Sequence, residues 1–218
     1  MPEASKVIEK PGERTQIISP DTWRGGGDPA ARTPPGQTLT RKWPVLHYGS
    51  VPKIRPEDWQ LRVWGLCENP YTLSWQQLMD LPQVDLICDI HCVTQWSRLD
   101  NTFTGVSIRT LVEMAKPKPE ATFVMQHGAS APNSDWTTNL PIDEFADDDC
   151  ILATHHEGQP ISADHGAPVR AVVPKLYFWK GAKWISGIEF RAADAPGFWE
   201  INGYHMHGDP WTEERFGW

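Results

Sequence analysis

The segment Asp89-Ile90-His91-Cys92-Val93-Thr94-Gln95-Trp96-Ser97 sets a thiol beside an imidazole where an apolar run gives way to a loop. A side chain at such a junction is held by a rigid scaffold and is still open to a ligand. The competing reading of Cys92 is a small buried hydrophobe. Neighbours in a strand point to opposite faces, so His91 and Cys92 need not touch the same ligand, whereas Cys88, Ile90 and Cys92 share a face. A Cys88/Cys92 metal pair is therefore conceivable, although structural zinc calls for four ligands in recognised pairs.

A second group lies in His165-Gly166-Ala167-Pro168-Val169-Arg170-Ala171-Val172-Val173-Pro174. Arg170 stands inside an apolar strand, where a guanidinium is costly unless paired, and its planar fork suits carboxylate or phosphate. Lys175, Lys180 and Lys183 follow closely, with Gly181 permitting a near approach of backbone to ligand. Cations this dense in an acidic chain point to an anion site; a salt bridge to one of the 28 acids is the alternative. The acidic run Asp143, Glu144, Asp147, Asp148 and Asp149 reads as a solvated face, since its spacing is not that of a calcium loop. His155-His156 and His205/His207 lie in loops and could be ligands, but pattern alone does not make them so.

The elements that must position these groups are short. With 218 residues the chain fits one sizeable domain, or a domain with an ordered extension, and 12 Trp residues offset a lean hydrophobic share of 39%. Proline and glycine make up about a sixth of the residues, which favours turns and short strands over a helical bundle. A net charge of −8 argues against a nucleic-acid binder. No apolar stretch is long enough to span a membrane. The opening residues carry no apolar run of signal length, and Arg41-Lys42 is not a twin-arginine signal, so a cytoplasmic location is expected. The four cysteines lack a secreted-domain pattern, which predicts free thiols or a metal ligand.

Residues 1–42, with GGGDP and TPPGQ, read as an extended arm that drapes over the domain or stays mobile. From Trp43 to residue 195 runs the main domain. DWQLRVWGL alternates as a half-buried strand, and LSWQQLMDLP is a helix with Ser74 as N-cap. VDLICDIHCVT is a strand running into a loop, and VSIRTLVEMAKP a helix stopped by Pro117. ATFVMQH (followed by a polar loop), ILATHHEG, PVRAVVP and KWISGIEFRA are further strands, and 196–218 is an aromatic tail packed on the domain. The class expected is α+β, mixed and strand-rich.

In this order, IHCVTQWS, TTNLP, HGAPVRAVVP and WKGAKWI resemble the sulfite oxidase-type molybdopterin-binding domain over roughly Trp43 to Ile188. The resemblance implies a sulfite oxidase-type fold around a molybdenum-molybdopterin cofactor, with the thiolate of Cys92 as the one protein ligand to the metal. Tungsten would suit the same sulfur ligands. Arg170 matches the arginine of the phosphate-binding strand, and His165 a contact five residues before it. Lys183, with the backbone of Gly181 and Ala182, matches the phosphate loop. His47 and Tyr48 take the early pterin-contacting position.

Sulfite oxidases proper carry an arginine-rich pocket near the cysteine, with a basic pair soon after it; here only Arg98 is available. Arg98, Trp96 and His91 are therefore the substrate-side residues expected. The implied activity is two-electron oxo transfer on a small sulfoxide or sulfite-like substrate. Electrons would be exchanged with an external partner, because no second redox motif is present. The missing sulfite pocket and the aromatic tail also suit a second reading, a non-catalytic pterin-binding or interaction module on the same fold.

Overall fold

The computed structural model describes residues 4–10, 12–129 and 136–217. The polar loop expected after ATFVMQH falls mostly outside them. Three strands come from the segment before Trp43: β1 (Lys6–Ile8), β2 (Thr15–Ile18) and β3 (Thr38–Leu39). Then follow β4 (Gln60–Gly65), β5 (Tyr71–Ser74), α1 (Trp75–Met79), β6 (Gln83–Cys92), β7 (Trp96–Ser107) and α2 (Ile108–Ala115). Next are β8 (Phe123–Gly128), β9 (Thr137–Pro141), α3 (Ile142–Phe145), β10 (Ile151–His156) and β11 (Gln159–Pro160). The chain closes with β12 (Arg170–Val172), β13 (Ile185–Arg191) and α4 (Phe198–Ile201).

Among the described residues these strands form one sheet of eight and one of five. In the larger sheet the path is β1-β2-β6-β7-β10-β11, with β12 added to β10 and β3 to β7. The smaller runs β5-β4-β13-β8-β9. Parallel and antiparallel neighbours mix, with few and short helices, so the architecture is α+β as expected. The main core lies between the sheets: Leu61, Ile188 and Phe190 of the smaller meet Val106, Leu152 and Ala171 of the larger, with Leu111 of α2. Among the described residues no helix is long and apolar enough to cross a membrane.

Local rules account for most of these elements. Ser74 caps α1 by accepting from the Gln77 amide, while the Gln77 side chain accepts from the Ser74 amide, a reciprocal capping box. α2 ends where Lys116 enters the left-handed region at φ 52°, one residue before Pro117. β7 is absent from the strands read in the sequence. Asp100 at φ 56° and the following Asn101 interrupt its alternation, yet the strand pairs with β6 from Val106 back to Trp96.

The segment 1–42, expected to drape over the domain or stay mobile, supplies strands to its larger sheet. β2 runs parallel to β6, pairing Thr15 with Val84 and Ile18 with Ile87, and buries Ile17 and Ile18. β3 pairs with β7 at Thr38–Trp96. Arg32 is fastened beneath the strand that carries Cys92: its Nε donates to Asp89 Oδ2 at 2.9 Å and its Nη2 to Oδ1 at 2.6 Å, with side chains 7% and 0% exposed. Those bonds hold the Arg32 guanidinium above its ordinary range. Strands of two to four residues leave no period to read, which is why the segment looked unstructured.

Breaking a buried pair strands one charge without a partner. Arg32→Met should therefore cost about 3–5 kcal/mol of stability, read by urea denaturation followed through tryptophan fluorescence. A loss within the range of ordinary surface substitutions would refute the tie between this segment and β6.

Candidate cofactor cavity

Cys92 is the last residue of β6, and β7 resumes at Trp96. The intervening tip is a tight turn closed by Gln95 N donating to Cys92 O at 3.0 Å, with Gln95 at φ 70°. This is the geometry of a three-residue hairpin loop whose last residue is left-handed. A register shift between Cys88 and Ile90 interrupts the β6–β7 ladder just before it. Such a bulge re-aims the side chains that follow. The Cys92 sulfur opens into a cavity of about 180 Å³. The Thr94 hydroxyl lies 3.2 Å from it. Burial pushes the thiol up, against the opposing pull of Thr94, Lys183 and Arg215.

The opposite wall is cationic. Arg170 is 1% exposed and donates only to backbone: His165 O at 2.9 Å, Ala171 O at 3.3 Å and Gly181 O at 3.3 Å. Lys183 Nζ donates to Leu46 O and Asp164 O, each at 2.7 Å. Among the described residues neither cation forms a salt bridge to a carboxylate. Burial pulls Arg170 down to about 9, which leaves it charged at neutral pH. Burial, then repulsion from Arg170, pulls Lys183 down to about 7. A charged guanidinium beside an amine that can take up a proton near neutrality, neither in a salt bridge among the described residues, makes an anion-binding pocket.

The remaining walls are aromatic. Trp43, Trp96, Trp136, Phe178, Trp184 and Trp199 line the cavity together with His47, Gly181, Ala182 and Tyr204. The indole N–H groups of Trp96 and Trp136 are buried and have no hydrogen-bond partner among the described residues. A flat ligand carrying acceptors and an anionic end fits these walls. The sulfur, the buried cations and the unpartnered indoles together fit a metal-pterin with a terminal phosphate.

Of the residues picked out in the sequence, Cys92, Trp96, His47, Arg170, Gly181, Ala182 and Lys183 meet in this cavity. The other four do not line it. His91 is fully buried, with Nδ1 2.8 Å from Ser97 Oγ, and burial lowers it to about 4, so it is neutral at pH 7. Arg98 is engaged by Asn101, His156 and Glu157. Tyr48 is 60% exposed, near Phe198. His165 packs against Trp43 with ring centroids 4.0 Å apart and the rings tilted by 31°, and its carbonyl accepts from Arg170.

Three further expectations change. Cys88 packs in the core beside Ile90 rather than pairing with Cys92. The cluster of three lysines divides. Lys180 is fully buried on Glu200 at 2.8 Å, Lys175 pairs with Asp147, and only Lys183 reaches the cavity. Gly181 is required by neighbouring backbone: a Cβ there would stand 2.3 Å from Ala171 O. Trp199 and Tyr204 were not singled out; their only sequence signal was the aromatic density of the stretch after residue 196.

The family model described as the oxidoreductase molybdopterin binding domain matches residues 48–199. The chain is 47% identical over 192 residues to the oxidoreductase YuiH of Bacillus subtilis, covering 88% of this chain and 95% of that protein. It is 31% identical over 157 residues to the protein-methionine-sulfoxide reductase catalytic subunit MsrP of Campylobacter jejuni, covering 66% of this chain and 52% of that one. The chain thus spans about half the length of that reductase subunit. In fold it is similar to the sulfane dehydrogenase SoxCD from Paracoccus pantotrophus, with a TM-score of 0.62 over 68% of this chain and 42% of that one at 22% identity. The chain belongs to the oxidoreductase molybdopterin binding domain family, enzymes that hold a molybdenum-pterin cofactor.

Proposed function

We propose that this chain performs two-electron oxo transfer on a small thioether sulfoxide, with Cys92 as the protein ligand to molybdenum. The observation that carries the reading is the meeting of one thiol and two cations without salt bridges in a single aromatic-walled cavity. When bound, the molybdenum-pterin supplies the oxo-transfer chemistry and the two-electron redox step. The chain supplies the rest. Cys92 gives a thiolate, because a coordinating thiol is deprotonated outright. Arg170 and Lys183 anchor the terminal phosphate, and the indole walls hold the pterin plane and exclude water.

The preference for a sulfoxide over sulfite rests on charge. Once Arg170 and Lys183 hold a phosphate, no further arginine or lysine among the described residues lines the cavity to receive a dianion. Arg98, the residue that could have done so, is held by Asn101, His156 and Glu157. A neutral sulfoxide needs no such cation, and the similarity to methionine-sulfoxide reductase subunits supports it. The electrons come from an external donor. Among the described residues no group of three or more His, Cys, Asp or Glu is placed to hold a metal as a second centre.

Two measurements test this. Protein from a host that makes the cofactor should carry about one molybdenum and one pterin per chain. It should reduce methionine sulfoxide with a reduced viologen as donor. Cys92→Ser should keep most of the pterin but lose turnover by more than about 100-fold, the size at which even outer-shell changes act. Full turnover in that variant sinks the assignment.

The second concerns Lys183, whose free value near 7 must rise when an anion binds beside it. Sulfate affinity of the cofactor-free chain should therefore be level below pH 7 and fall as pH rises through the liganded value, with proton uptake near neutrality. Calorimetry in buffers of different ionisation enthalpy reads this directly. Lys183→Met should bind more weakly and without that pH step; an unchanged step would remove Lys183 from the anion site.

A further inference from the structure

The tip that carries Cys92 is held by more donors than a hairpin turn requires. Its own closing bond is Gln95 N to Cys92 O at 3.0 Å. The same carbonyl accepts Gln37 Nε2 at 3.1 Å, from the segment before Trp43. The next carbonyl, Val93 O, accepts Arg215 Nη1 at 2.7 Å, from the far end of the described chain. Arg215 is 8% exposed, and its Nη2 also donates to Pro35 O at 3.2 Å. The guanidinium carbon lies 5.0 Å from the centre of the Tyr177 ring. The two distant segments cross at Gly36, where φ is 67° and a Cβ would stand 2.7 Å from Glu213 Oε1 and 3.1 Å from Arg215 Nη2. Neither donor lines the cavity, so neither is placed to touch a ligand there.

We propose that Arg215 and Gln37 are positioning residues for the metal-ligating thiolate: by clamping the carbonyls of Val93 and Cys92 they fix the peptide planes on either side of Val93 and, through them, the direction of the Cys92 sulfur. This rests on the reading of Cys92 as the metal ligand. The physical argument is one of leverage. A cysteine side chain has a single torsion between backbone and sulfur, so the sulfur direction is set chiefly by the planes of the turn. A hydrogen bond from a charged donor is roughly twice as strong as one between neutral groups. The turn alone would hold the sulfur loosely; two added donors, one of them cationic and almost buried, hold it in one orientation.

The test uses the full-length chain and two readouts other than turnover. The first is the electron paramagnetic resonance spectrum of Mo(V) in the partly reduced holoprotein. The second is the rate of Cys92 alkylation by iodoacetamide in the same full-length chain made without cofactor, followed by peptide mass. Arg215→Ala and Gln37→Ala should each shift the Mo(V) g-values and speed Cys92 alkylation about fivefold or more, the factor that goes with losing one such hydrogen bond, with the rate taken per thiolate from its pH profile because the charge of Arg215 also favours the thiolate. Arg215→Lys, which keeps a cationic donor, should recover part of both effects. Lys175→Met, which loses the pair with Asp147 outside the cavity, should lower the melting temperature and leave both readouts at wild type.

If the Arg215 and Gln37 variants lower the melting temperature with spectra and alkylation rates unchanged, their role is structural only and the proposal is wrong. Gln37→Ala, which removes no charge from a half-buried position, carries the test should Arg215→Ala fail to fold. Cys92→Ser, run alongside, separates the two readings. An unaltered Mo(V) signal in that variant removes the ligand assignment and this inference with it. An altered signal there, with wild-type behaviour in Arg215→Ala and Gln37→Ala, removes only the clamp.

Discussion

A sulfur offered to a metal from the end of a hairpin is useful only if the end of the hairpin does not move. Hairpin tips are ordinarily among the more mobile parts of a sheet, since they have neighbours on one side only. Here the strand leading to the tip is pinned from beneath. Asp89, fully buried, accepts two bonds from Arg32 and a third from the Asp100 amide at 2.9 Å across the hairpin. His91, on the face opposite Cys92, is fixed by Ser97. The polar residues flanking Cys92 thus work as fasteners. What looked in the sequence like reactive neighbours of the thiol is the hardware that keeps it still.

The second constraint is electrostatic. The protein carries a formal net charge of −8, yet its cavity holds Arg170 and Lys183, neither in a salt bridge among the described residues. Keeping a guanidinium buried requires that its donors be satisfied, and Arg170 meets this with three carbonyls rather than a carboxylate. Carbonyls orient the fork without cancelling its charge, so the full attraction is left for an anionic ligand. The other two lysines of this stretch are taken up by acids, Lys175 by Asp147 and Lys180 by Glu200. Lysines that are neighbours in sequence therefore serve separate structural tasks.

Strong periodicity made much of this readable in advance. β4 alternates, α1 has its capping box, and β13 is a long apolar-rich strand, so each was visible from local pattern. The thiol and Arg170 were visible because a polar group inside an apolar run is chemically conspicuous. What stayed hidden was set by tertiary pairing. β2 and β3 are too short to show a period and exist because β6 and β7 lie beside them. Arg98 could be numbered but not aimed, because its partners Glu157 and His156 come from a turn and strand end far along the chain. Likewise nothing local tells that Trp199 and Tyr204 fold back to wall the cavity.

The clamp on the hairpin also has a temporal side. Gln37 precedes the cysteine by 55 residues, while Arg215 follows Val93 by 122. A ribosome makes the first donor, then the hairpin, then most of both sheets, and only afterwards the second donor. Contacts between residues so distant along the chain close late, because the entropy of the intervening loop must first be overcome. Until Arg215 is in place, the tip has only its own closing bond and the one from Gln37. On the proposed reading of Cys92, the rigidity of its tip depends on a donor that is made after both sheets, which favours the folded chain as the recipient for the cofactor.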